Sequence, residues 1–180
     1  MELKIKKVNL KNKDVKKIYF DSFPPNVRMP FWMMVLMSKL WNTKLLSFYD
    51  NDKLCGFIYI AVQFKQIFVM FFAVDKELRS KGYGSKILNQ LKKLYPMKKV
   101  IVSIEHSSTD KTEEQERRKR FYFSNGFKET GYLIRMSGVE QEILVRDGQF
   151  SKARFRAFLA LYSMGTLWPK IWKKCVTEVQ

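Results

Sequence analysis

The sequence predicts an α+β fold in α/β/α layers, with a mixed central sheet and helices on both faces. Three observations carry this. Ile67 to Val74 is apolar on both strand faces, as in a central strand covered on each side. The segment after it places Ile87, Leu88, Leu91, Leu94 and Tyr95 on one helical stripe. Strand-like and helix-like segments then alternate along a chain of 180 residues, long enough for one domain with a sizeable core.

Leu3 to Val8 nearly alternates in polarity and reads as a first strand. Asn12 or Asp14 can start a helix carrying Val15, Ile18 and Tyr19, which the Pro24-Pro25 pair ends. Pro30 can open a second helix with Trp32, Met33, Leu36, Met37 and Leu40 at helical spacing. Leu45–Tyr49 and Leu54–Val62 are strands around the hairpin signal Asp50-Asn51-Asp52-Lys53. Beyond the 67–74 strand and its helix come a strand at Val100–Ile104 and a helix over 113–124. Strands near Phe127–Met136 and Glu140–Arg146 complete the order.

The most informative stretch is 72–85. A strand ends at Phe72, Ala73 and Val74, and a short turn delivers Arg79, Ser80, Lys81, Gly82, Tyr83, Gly84 and Ser85 to a helix start. Glycines allow close backbone approach and positive φ. A helix start offers free N–H groups and the positive end of its dipole. With Arg79 and Lys81 the combination suits a pyrophosphate. A P-loop needs Lys directly after its second glycine, where this chain has Ser85. The dinucleotide fingerprint needs a third small residue, where this chain has Ile87.

The remaining pattern, Arg-x-x-Gly-x-Gly after a strand, resembles the coenzyme A pyrophosphate loop of the GNAT acetyltransferase superfamily, with Lys76 where that family often has Pro. Further on, Tyr122-x-x-x-Gly126-Phe127 resembles the second GNAT signature. Gly126 also fits a left-handed helix C-terminus. The resemblance, to a bacterial-type single-domain member, covers roughly residues 2 to 147. It implies the GNAT fold, a mostly antiparallel sheet with one splayed parallel strand pair. A GNAT domain is expected over 1–147, with a helix and aromatic tail over 148–180 packed on the domain or at an interface.

The resemblance also implies roles. The backbone around Phe72, Ala73 and Val74 would bind the pantetheine arm and polarise the thioester carbonyl, and residues 79–85 would hold the pyrophosphate. Tyr122 would lie near the coenzyme sulfur and protonate the departing thiolate. Comparison of reference pKa values, about 10 for the phenol and about 8.5 for a thiol, is expected to favour that transfer. Glu105, just past the strand Val100–Ile104, is the candidate base, or a group that only orients the amine. His106, the one histidine, reads as a solvated loop residue. The charged segment Lys111–Arg118 stands where the family often has Asn, a departure from the family pattern at a side-chain contact to the pantetheine.

Lys and Arg total 34 against 17 Asp and Glu, a net charge of +17. Such a field favours anionic ligands and argues against a polycationic acceptor. The acceptor is expected at the helix pair 14–42, where core packing accounts for most of Met29, Phe31, Trp32, Met33, Met34 and Met37. Cys55 and Cys175 cannot make a disulfide framework, which points to a reducing cytoplasm. The charged first seventeen positions do not read as a signal peptide, and Pro30–Met37 is too short to span a bilayer. Ser151 can cap a helix with Phe155, Phe158, Leu159 and Tyr162 on one stripe.

The function implied is transfer of acetyl from acetyl-CoA, without a metal, to a primary amine of a small molecule or protein. The alternative is a catalytically silent acyl-CoA-binding module. A homodimer is possible through the tail; no nucleic-acid or membrane partner is expected.

Overall fold

A computed structural model describes residues 2–40, 42–106, 112–136, 138–166 and 168–174, which form two compact units, Met1–Lys98 and Lys99–Gln180. Cys175 and Lys111 lie outside the described residues. No described helix is long and apolar enough to cross a membrane.

In the first unit, β1 (Lys4–Lys7), β2 (Thr43–Asp50), β3 (Lys53–Gln63) and β4 (Gln66–Val74) pair antiparallel in sequence order. The hairpin between β2 and β3 turns at Asn51, whose φ of 54° is the left-handed conformation that Asn tolerates. One sheet face buries Leu45, Phe57, Tyr59 and Ala73 against α1 (Lys13–Ser22) and α2 (Phe31–Leu40). Tyr19 is the hub, with ring contacts to Phe23, Phe31, Phe57 and Phe71. Its hydroxyl donates to the Met29 carbonyl at 2.9 Å and accepts from the Met29 N–H at 2.8 Å. Each such fully buried large side chain contributes about 1.5–3 kcal/mol.

The 3.6-residue spacing in α2 selects the wrong face from sequence. Phe31, Met34 and Val35 are buried, while Trp32, Leu36 and Leu40 are exposed. A helix that is apolar nearly all round has no polar side to mark its outer face. The stripe of α3 (Tyr83–Leu94) is as expected at Ile87, Leu88 and Leu91, which are buried, but Leu94 is exposed.

In the second unit, β5 (Lys99–Glu105), β7 (Val139–Arg146), β6 (Lys128–Met136) and β8 (Ile171–Lys173) are antiparallel neighbours in that order. Helix α4 (Glu113–Ser124) begins with a capping box, in which Thr112 and Gln115 satisfy each other's backbone N–H groups. Gly126, at φ 80°, takes the left-handed position after α4. Helix α5 (Lys152–Tyr162) is capped by Ser151 and buries Phe155, Phe158, Leu159 and Tyr162. β8 then adds an edge strand beside β6, with Ile171 opposite Ile134.

Candidate functional site

β4 carries one extra residue against β3. Tyr59 faces Phe71 and Ile60 faces Val69, so Met70 is bulged out. A bulge bends its strand and re-aims the residues beyond it, here Phe72, Ala73 and Val74. Their partners on β3 are Ile58, Phe57 and Gly56. Gly56 has a local reason to be glycine: a Cβ there would collide with the Ala73 carbonyl oxygen. Neither the bulge nor this contact is visible in the sequence, although a glycine inside a strand is a recognised hint of close backbone approach.

Asp75 closes the strand end by accepting the Glu77 N–H on its side chain at 2.9 Å, capping a short 3-10 turn over Lys76–Leu78. Ser80 comes next with φ 61° and Gly82 with φ 79°. Two left-handed residues within three positions wind the chain into the start of α3. Gly82 is its N-cap and has no side chain to cap with. Helices α4 and α5 have side-chain caps, and α4 has three carboxylates in its first turn; α3 has neither. Its first N–H groups and dipole are therefore left for an external anion. Space beside Gly82 is open where a Cβ would stand.

The side chains around this loop divide into two kinds. Lys81 is exposed. Arg79, also exposed, turns back, with Nε 3.4 Å from the Val74 carbonyl and Nη2 3.4 Å from Ser22 Oγ. The Tyr83 hydroxyl donates to Asp50 Oδ2 at 2.7 Å, and that bond raises its pKa. Lys86 Nζ lies 4.7 Å from the centre of the Tyr83 ring. Gly84 and Ser85 occupy the first helical turn, half-buried. Gly84 is helical and needs no positive φ. The residues 79–85 fit a pyrophosphate through backbone and dipole more than through two fixed cations.

Tyr122 and Glu105 belong to the second unit, one on α4 and one ending β5, the strand that α4 contacts. Tyr122 is buried between Phe121 and Phe127, and burial pushes its hydroxyl up to about 12 despite the opposing charge of Arg118. The proton is then firmly held at neutral pH. A donor whose pKa lies above the acceptor's gives up its proton uphill, so the comparison with a thiolate runs against transfer, and burial steepens it. With a thiol at about 8.5, full transfer costs about 5 kcal/mol. What this hydroxyl offers is a hydrogen bond. Glu105 is exposed and lies opposite Gln141 of β7. His106, beside it, donates its backbone N–H to the Glu140 carbonyl.

The sequence reading missed one ionic cluster. Glu142 on β7 is buried, and its carboxylate accepts from Lys119 of α4 at 2.8 Å and from Lys174 at 3.2 Å. Lys119 also pairs with Glu129 of β6. Burial alone would raise the Glu142 pKa, and the two lysines overcome it and lower it. The cluster fastens α4, one turn before Tyr122, and the chain after β8 to one strand. Partners so far apart in sequence leave no local signal.

Residues 41–129 match the family model described as an acetyltransferase (GNAT) domain. No curated protein matches the chain. Among solved structures it is similar to an acetyltransferase of the GNAT family from Bacteroides thetaiotaomicron, with 20% identity, TM-score 0.74, and coverage of 91% of this chain and 99% of that one. The Thermoplasma acidophilum PaiA N-acetyltransferase in complex with coenzyme A is similar at 13% identity and TM-score 0.57, covering 82% and 100%. Arabidopsis thaliana Naa50 with the bisubstrate analogue CoA-Ac-MVNAL is similar at 20% identity and TM-score 0.58, also covering 82% and 100%. These likenesses show the GNAT fold expected from the sequence. Residues 41–129 thus carry the match to a GNAT acetyltransferase domain, and the chain has the GNAT fold.

Proposed function

We propose that the protein transfers the acetyl group of acetyl-CoA to a primary amine of a small molecule or protein. The observation that carries this reading is the uncapped, carboxylate-free start of α3 behind Gly82, in a chain of GNAT fold. Coenzyme A is present in the Thermoplasma acidophilum structure, and acetyl-CoA in a GNAT acetyltransferase from Elizabethkingia anophelis.

In the proposed reaction Glu105 takes a proton from the substrate ammonium, directly or through water. The neutral amine attacks the thioester carbonyl, whose developing oxyanion the backbone N–H groups near Ala73 and Val74 stabilise. Such preorganised donors are worth about 10²–10³ in rate each. The C–N bond forms, the C–S bond breaks, and Tyr122 donates a hydrogen bond to the departing thiolate. The second proton, shed by the attacking nitrogen as the amide forms, reaches the thiolate through water. A reducing cytoplasm belongs to this reading, supported by the buried free thiol of Cys55.

Release of free coenzyme A over a panel of amines tests the proposal. Amine-dependent release is expected. Tight coenzyme A binding with no turnover on any amine would instead identify a silent acyl-CoA-binding module.

A further inference from the structure

Three chain connections of the first unit meet at the end of its sheet away from the glycine loop. They are the passage from α2 into β2, the β3–β4 hairpin, and the segment following α3. Thr43 pairs with Ala61 and Gln63 with Gln66 at this end, whereas Val74 and the glycine loop lie at the other. The Val62 N–H donates to the Asn42 carbonyl, and Lys98 Nζ donates to the Phe64 carbonyl, so the three connections touch.

Each connection presents a large apolar side chain to solvent. Leu40 is 66% exposed, Phe64 66% and Met97 86%. The outer stripe of α2, Trp32 and Leu36, continues from Leu40 at four-residue intervals. Phe64 holds φ 50°, a conformation that a bulky residue adopts at a cost, and it sits at the hairpin tip. A tip that needed only to turn would be better served by Gly or Asn.

The charges that adjoin these side chains along the chain are of one sign. Lys39, Lys65 and Lys98 adjoin Leu40, Phe64 and Met97 directly. The three segments of the first unit that build this end, 22–49, 53–74 and 78–98, contain no Asp or Glu at all. Exposed apolar tips flanked by lysines match the boundary of an anionic bilayer, where rings and alkyl chains enter the acyl region and ammonium groups meet the headgroups. A polyanion such as nucleic acid would use the lysines and leave the apolar tips unexplained.

We infer that this end of the first unit is a peripheral docking surface for an anionic lipid bilayer, with Leu40, Phe64 and Met97 as the inserting side chains. The surface runs against the expectation from sequence of no membrane partner, because only the folded sheet gathers these three side chains. It lies away from residues 79–85, so docking leaves the proposed cofactor loop open, and the inference does not depend on the acetyl-transfer reading.

The test is sedimentation of the full chain with vesicles of phosphatidylcholine alone or mixed with phosphatidylglycerol, at low and at physiological salt. Binding to the mixed vesicles only is expected. F64S/M97S should abolish it at physiological salt. K39Q/K65Q should weaken it about 25-fold, at about fivefold per lysine near an anionic surface. All four positions are exposed, so an unchanged melting temperature is the control for folding. No binding to mixed vesicles at low salt overturns the inference. So does binding that F64S/M97S leaves intact while single-stranded DNA competes it away, which would mark a general polyanion site.

Discussion

The Tyr83 hydroxyl donates to Asp50 Oδ2 at 2.7 Å, tying the first residue of α3 to the end of β2. This pins the side chain that stands between Gly82 and Gly84. The ring is drawn to the hairpin, and the helix start is left to its glycines and backbone N–H groups. The anion site proposed there, made from backbone, would have little entropy to lose on binding, because the chain around it is already held.

Gly84→Val should fold normally, since Gly84 is helical and Val is a slightly better helix former than Gly. It should lose the stabilisation by coenzyme A. With ligand at about 100 times its dissociation constant the wild type gains about 2.7 kcal/mol, read as a rise in melting temperature. The same rise in Gly84→Val would remove the loop from the cofactor site.

Tyr122→Phe should bind coenzyme A as the wild type does and turn over more slowly. A hydrogen bond to a charged sulfur is worth about 1.5–3 kcal/mol, a fall of about 10–150-fold in kcat. A general acid whose proton transfer limits the rate can contribute up to about 10⁴-fold. The size of the loss therefore separates the two roles, and an unchanged kcat would leave Tyr122 a packing residue.

The same substitution has a signature in stability. The Tyr122 pKa is raised from 10 to about 12 by folding, so its contribution is complete below pH 10. It is lost as pH rises to 12, when the unfolded chain ionises first. Wild type should lose up to about 2.7 kcal/mol more than Tyr122→Phe between those values, measured by urea unfolding.

Glu105→Gln should depress kcat/KM for the amine most at low pH and recover as pH rises, because more of the amine is then already neutral. The ratio is the quantity to measure, since slow product release can mask chemistry in kcat. A loss that is flat with pH would assign Glu105 to positioning the acceptor, and full activity would remove it from the site.

Glu142→Gln should destabilise the protein by about 2 kcal/mol. That is below the 3–5 kcal/mol of a fully buried pair, because Lys119 and Lys174 are 23% and 31% exposed. The folded carboxyl sits below its ordinary range, so its contribution is present above pH about 4.3 and fades as pH falls through the lowered value. Unfolding of the variant should accordingly show a shallower acid limb. Equal acid limbs in the two proteins would mean that the cluster contributes nothing to folding.

The sequence by itself determined the elements and the loop. Period-two and period-3.6 patterns marked the strands and most helices, Ser151 announced its cap, and Arg79 to Ser85 announced a helix start behind glycines, because these signals are local: a side chain, its neighbours and one turn of backbone. Tertiary structure decided the rest. It chose the buried face of α2, which an all-apolar helix cannot declare. It put the bulge at Met70 and set Gly56 against the Ala73 carbonyl, which strand pairing alone reveals. It buried Tyr122 and so tightened the hold on a proton that a thiolate would have to win. It brought Lys119, Glu142 and Lys174 together across 23 and 32 residues of chain, and gathered Leu40, Phe64 and Met97 at one end of a sheet. Contacts between distant segments depend on how the sheet stacks them, and one-dimensional spacing carries no record of that.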